Sequence, residues 1–341
     1  MNTTKNLLIL LLILSLTSPV LSQNVTVNYG SGKGEVDYLN TNKIKILEDP
    51  HPYGPLSFRV LADGFALVDS VGGKLLQFNS KGVLTKEFPV YPPEMAESVK
   101  KLEKEPGLAL LISDFAPVYD KKGNIEAWWF ADTMNNLLYK CSADGKYLKT
   151  LEDESFAQLE FIDVGKEGHL YVSDVINEVI TIYAPDGKKL LIIPWQWSGM
   201  ALSKDGKSVY TIESDEGSTI CYLLKNDLDG SISLYLSLNL PQGISNPLLW
   251  WVNEDKKEAV ITYTPAEGFQ GRLKLAVVST ATGKTLAEDW MTPALVMNRI
   301  IDTYDFSKVW FAEADLFKAP KGAFVISNFK MPEAVKNKKE N

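Results

Sequence analysis

Three stretches of this sequence carry one pattern, and that repetition limits the fold more than any other feature. They are "GFALVDSVGGKLLQFNSKGVL" from Gly64, "WFADTMNNLLYKCSADGKYLKTL" from Trp129 and "GHLYVSDVINEVITIYAPDGKKL" from Gly168. With Asp69, Asp132 and Asp174 in register, a glycine follows each acid after thirteen residues: Gly82, Gly145 and Gly187. Three residues after the acid stand Gly72, Asn135 and Asn177, types that tolerate a left-handed backbone. Nine residues after it stand Phe78, Cys141 and Tyr183. Agreement at this many offsets marks an internal repeat.

Each unit reads as antiparallel strands. Alternation such as His169-Leu170-Tyr171-Val172-Ser173 makes one strand. A tight turn follows, and the Asp just before it can accept the turn's backbone amides. A second strand runs to an Asp-Gly or Asn-x-x-Gly turn, and a third follows. One more strand precedes each unit: Ser57 to Leu61, Phe161 to Gly165, Gly199 to Ser203. Four strands per unit make one propeller blade. Fainter copies continue the series. Glu213 takes the acid's place in "GMALSKDGKSVYTIES", "LLWWVNEDKKEAVITYT" supplies a fifth unit, and "DLFKAPKGAFVISN" a sixth, with Asn328 in the Asp position. The last unit is short of outer strands, and "NKIKILE" (Asn42 to Glu48) is expected to supply one, which seals the ring. The expected fold class is all-β: a six-bladed propeller of four-stranded antiparallel blades, with a short helical insertion between the first two strong units. A β-sandwich or two smaller β domains remain the alternative.

The units from Gly64, Gly123 and Gly168 resemble NHL repeats, whose pattern is a glycine, a short apolar strand, an acid, an Asn-rich turn and an Asp-Gly. The resemblance covers about half of the chain. It implies a six-bladed propeller and no single activity, because NHL-like propellers include protein, peptide and sugar binders as well as enzymes.

The N-terminal segment reads as a targeting signal: Lys5 is the positive region and Leu7 to Leu16 the apolar run, with cleavage before Gln23. That run is too short for a membrane span, so a secreted or periplasmic protein with no span in its mature part is expected. The division is then a signal peptide over 1–22, a lead-in with the ring-closing strand over 23–50, the propeller over 51–331 and a charged tail over 332–341. The formal net charge is −8, and it repels phosphate backbones, so nucleic acid is not an expected partner. Two cysteines, Cys141 and Cys221, do not make a disulfide scaffold. Both are expected to stay unpaired, with Cys141 facing the core.

Only two histidines exist, His51 and His169, which disfavours a His-based hydrolytic site. "DGKS" at Asp205 to Ser208 lacks the first glycine of a phosphate loop and reads as a hairpin turn. One Trp of each pair, Trp128-Trp129 and Trp250-Trp251, is expected in the core, since neighbours on a strand face opposite sides. In a four-stranded meander, the start of the innermost strand and the turn after the second strand share a face. That face collects Arg59, Asp114, Glu160, Ser198, Asn246 and Glu313, with Trp197 beside them. The insertion at Pro92 to Gly107, with Met95, Val99 and Leu102 at helical spacing, opens there too. These seven residues are the candidate ligand contacts for a protein, peptide or small-molecule/carbohydrate ligand. The other reading is a calcium-dependent, lactonase-like hydrolase, in which Asp114, Glu160, Asn246 and Glu313 supply the oxygen ligands that a hard cation such as Ca2+ prefers.

Overall fold

The structure is a computed structural model, and it describes residues 24–38, 54–102, 108–214, 220–239, 245–265, 272–292, 298–304, 308–314 and 322–329. Strand β1 (Val25–Asn28) comes first. Blade 1 follows as β2–β5 (Phe58–Leu61, Gly64–Asp69, Lys74–Asn79, Leu84–Pro89), and blade 2 as β6–β9 (Ile112–Tyr119, Ile125–Asp132, Leu137–Ser142, Tyr147–Leu151). Blade 3 is β10–β13 (Leu159–Val164, Leu170–Asp174, Val179–Tyr183, Lys189–Pro194) and blade 4 is β14–β17 (Ala201–Leu202, Ser208–Ser214, Ile220–Asp227, Ile232–Asn239). Blade 5 is β18–β21 (Ser245–Asn253, Glu258–Thr264, Leu273–Ser279, Thr285–Met291). Blade 6 takes β22–β24 (Ile301–Asp302, Val309–Ala314, Ala323–Phe329) from the C-terminal part of the chain and its outer strand, β1, from the N-terminal part. Every sheet is a four-stranded antiparallel meander, and the six form the propeller ring.

Ring closure falls to Val25–Asn28, which pairs with Ala323–Ile326; the expected Asn42–Glu48 lies outside the described residues. Val25 and Val27 point into the core while Thr26 and Asn28 face out, the alternation of an outer strand. The sixth blade also sits one strand earlier than its sequence suggests. "KGAFVISN" is its third strand, and the inner pair is Ile301–Asp302 with Val309–Ala314.

The repeated acids stand at equivalent tips and latch each blade. Asp69 accepts Gly72 N at 2.8 Å and Asp37 N at 2.9 Å. Asp132 accepts the amides of Leu111, Met134 and Asn135 and the hydroxyl of Tyr139. Asp174 accepts the amides of Ala157, Gln158 and Asn177. In blades 2 and 3 one carboxylate thus binds both the turn after the second strand and the chain arriving at the innermost strand. All three acids are buried, and burial raises the Asp69 carboxyl to about 6.

The left-handed residue of this turn is the fourth after the acid, not the third. Gly73, Asn136, Glu178 and, in blade 5, Lys257 after Asn253 have φ of 64°, 54°, 55° and 56°. The third position has another task. Asn135 and Asn177 each donate Nδ2 to their acid and to a carbonyl of the arriving chain, Ala109 O and Ser155 O. Asn135→Ala should therefore cost about 0.5–1 kcal/mol in urea unfolding, whereas Asn135→Asp should be no better, having no N–H to donate. Thirteen residues after each acid, Gly82, Gly145 and Gly187 hold φ of 74°, 90° and 97°, which fixes the second turn.

The core lies between blades. Both members of the first Trp pair are buried: Trp128 packs toward blade 1 with Phe88 and Phe115, and Trp129 toward blade 3 with Leu159 and Ile162. Each blade's inner strands are covered on both faces by neighbouring blades, so adjacent residues can both be core. Of the second pair, Trp250 is buried and Trp251 half-buried. The insertion forms a single 3-10 turn at Pro93–Met95 that runs into helix α1 (Ala96–Leu102), and Met95 and Val99 pack on the core between blades 1 and 2.

Candidate functional site

The inner strands begin on the face that carries the insertion, and bulges there aim side chains off the regular pleat. Register shifts fall between Ile112 and Asp114, between Leu159 and Ile162, and between Ser245 and Leu248. Asp114, Glu160 and Asn246 all lie at these irregularities. A bulge bends its strand and re-aims the residue beside it.

Asp114, with no exposed surface, is the hub of a buried ionic cluster. Arg299 Nη2 donates to its Oδ2 at 2.8 Å, and Arg59 Nη2 reaches the same oxygen at 3.3 Å. Ser57 Oγ donates to Oδ1, and Ile162 N to Oδ2 at 3.0 Å. Arg59 spans further, donating Nη2 to Ile162 O at 2.6 Å and Nε to Phe115 O at 2.7 Å, while Nη1 lies 3.5 Å from Asp163 Oδ2. Blades 1, 2, 3 and 6 are thereby tied to one another across the ring's axis. Burial alone would raise the Asp114 carboxyl, but Arg299 and then Arg59 outweigh it and hold it below the usual carboxylate range. Half-buried Glu160 has no such partner among the described residues. Burial, with Asp114's charge added, raises it to about 7.

A second group assembles between blades 4 and 5. Trp197, Ser198 and Asn246 line a groove of about 710 Å3 together with Glu178, Ser214 and Pro247. Trp197 is 52% exposed although its φ is 54°, and Asn246 has φ 51°. A bulky side chain in the left-handed region is an outlier that its surroundings must hold in place. One such restraint is at Ser198, whose hydroxyl donates to Ile212 O, while its carbonyl accepts Leu249 N at 2.7 Å.

The seven sequence candidates therefore divide three ways. Arg59, Asp114 and Glu160 meet at the axis; Trp197, Ser198 and Asn246 meet in the groove; Glu313 is exposed on β23, the second strand of its blade. The oxygen set suggested for calcium is not assembled, because Asp114 is consumed by two guanidinium groups and Asn246 and Glu313 stand elsewhere. Among the described residues no three His, Cys, Asp or Glu side chains group to hold a metal ion. Arg299, which the sequence candidates lacked, takes the start of the sixth inner strand, bridged to Ser57 of blade 1. Both cysteines are free and buried, and burial pushes their thiols up to about 12 for Cys141 and about 11 for Cys221, away from nucleophilic use.

No protein-family model matches the chain, and no curated protein does. Solved structures similar to it include the virginiamycin B lyase of Staphylococcus aureus, at 15% identity and a TM-score of 0.47, covering 81% of this chain and 95% of that one. Another is in hydrazine synthase of Kuenenia stuttgartiensis, at 12% identity and a TM-score of 0.48, with 75% and 73% covered. A third is in a nidogen/laminin complex, at 12% identity and a TM-score of 0.43, with 72% and 83% covered. No helix among the described residues is long and apolar enough to cross a membrane.

Proposed function

We propose that the chain is an exported, NHL-like propeller that acts as a binding module, taking a protein, peptide or carbohydrate ligand on its insertion-bearing face. The observation that carries this reading is Trp197, an exposed aromatic held in a left-handed backbone at the rim of a groove that also presents Asn246. A rigid aromatic beside a polar amide is a common pairing in recognition sites, since the ring gives contact area and the amide gives direction. The same face adds apolar tips. Met134 and Ile176, each two residues after its blade's acid, are 49% and 62% exposed. Large exposed apolar side chains gathered on one face mark interaction surfaces. Export rests on the leader-like segment with Lys5 and the run from Leu7 to Leu16.

The test is a thermal-shift screen of soluble oligosaccharides and short peptides against the full chain. A ligand that stabilises the wild type should bind at least about tenfold more weakly to Trp197→Ala, the size expected for truncating an aromatic anchor. Affinities unchanged in both Trp197→Ala and Asn246→Ala would sink the reading.

A further inference from the structure

On the face opposite the insertion, the inner strands end around a funnel of about 520 Å3 to which all six blades contribute. Asp163, Asp302, Arg59 and Tyr119 line its deep end, and Tyr304 and Trp251 are among its aromatic walls. The charges at depth do not balance. Arg59 and Arg299 bring two positive charges, and Asp114, Asp163 and Asp302 bring three negative ones. Asp114 takes the close contacts of both guanidinium groups, and Asp163 lies 3.5 Å from Arg59. Asp302 is the acid left over. It is 4% exposed, and its one hydrogen bond among the described residues comes from Val60 N, at 2.6 Å to Oδ2. Burial raises its carboxyl to about 6 even though Arg59 and Arg299 act to lower it. Nearer the rim the lining is mixed: Lys204 pairs with Asp255 at 2.5 Å, Glu254 accepts the Tyr210 hydroxyl, and Lys166 and Lys256 stand there as well.

We propose that this funnel binds a small organic cation, a primary amine or quaternary ammonium, with its charge beside Asp302 and Asp163 and its carbon skeleton against Tyr119, Tyr304 and Trp251. Such a ligand supplies the positive charge that the buried cluster lacks, and a charge unpaired at depth is costly until one arrives. Ring faces attract cations, most strongly where water is thin. An anion would meet a net negative floor. The volume suits a small molecule, and the site lies on the opposite face of the ring from the Trp197 groove, so it is independent of that reading.

The experiment is calorimetric titration of the full chain with choline and with butylamine, each against its uncharged counterpart, 3,3-dimethylbutan-1-ol or butan-1-ol. At least one cation should bind at least tenfold more tightly than its neutral partner. Asp302→Asn should weaken that binding tenfold or more. Tyr304→Ala, at a residue 45% exposed and therefore replaceable without disturbing the core, should weaken it several-fold. Trp197→Ala should leave it unchanged, which separates this site from the groove. Equal binding of the neutral partner, no binding of either cation, or full cation affinity in Tyr304→Ala together with a folded Asp302→Asn would each overturn the proposal.

Discussion

Asp114→Ala should be the most damaging single substitution in the ring, with a loss of about 3–5 kcal/mol in urea denaturation. The cause is what the mutation leaves behind. Arg59 and Arg299 are 4% and 2% exposed, and both direct a guanidinium at this carboxylate. Without it, Arg299 loses its paired carboxylate, Arg59 keeps only Asp163 at 3.5 Å, and the Ile162 amide and Ser57 hydroxyl lose their acceptor. Because the cluster joins four blades across the axis, the ring should also loosen as a unit. Removing the whole cluster should do less harm than breaking it. In Arg59→Met with Asp114→Leu and Arg299→Met, much of the lost stability should return, since a buried ionic cluster replaced by well-packed apolar groups is often close to neutral. If Asp114→Ala costs under 1 kcal/mol, or the triple replacement proves worse than the single one, the cluster does not hold the blades in this way.

The first three blades were legible because their turns are written in local chemistry: an acid, an amide side chain and a glycine at fixed offsets. The offset alone did not say which turn residue is left-handed. That is Asn136, not Asn135, because the third position is needed for its two Nδ2 hydrogen bonds. The sixth blade misled by one strand for a different reason. Its inner strand is only two residues long and its outer strand comes from Val25–Asn28, a pairing with no local signature. That slip put Glu313 among the candidates and left out Arg299, which stands at the true start of the sixth inner strand. Arg59, Asp114 and Glu160 were found because position at the start of an inner strand decides what can reach the axis. Asp163 and Asp302 line the funnel where inner strands end, so a reading confined to strand starts passed them by.

The protein should be more stable near pH 5 than at pH 8, and Glu160 should account for a large share of the difference. Its folded pKa of about 7 lies above the ordinary 4.5, chiefly through burial and then through Asp114. An acid with a raised folded pKa binds its proton more tightly in the native state. Its contribution is full below the unfolded pKa and is lost as pH rises through the folded one, here between about 4.5 and 7. Asp302 and Asp69, each raised to about 6, act in the same direction between about 4 and 6. Asp114 works oppositely: held below its usual range, it stabilises above the unfolded value and its contribution fades only as pH falls below about 4. Stability should therefore rise as pH drops from 8 toward 5 and collapse in stronger acid. The full Glu160 shift corresponds to about 3 kcal/mol, and its partial exposure brings that to about 2. Glu160→Gln keeps the shape and removes the charge, so it should stabilise the chain by about that amount at pH 8 and by almost nothing at pH 4.5. Urea midpoints of both proteins across this range make the comparison. Parallel curves would mean that Glu160 is solvated at the channel mouth and does not feel Asp114.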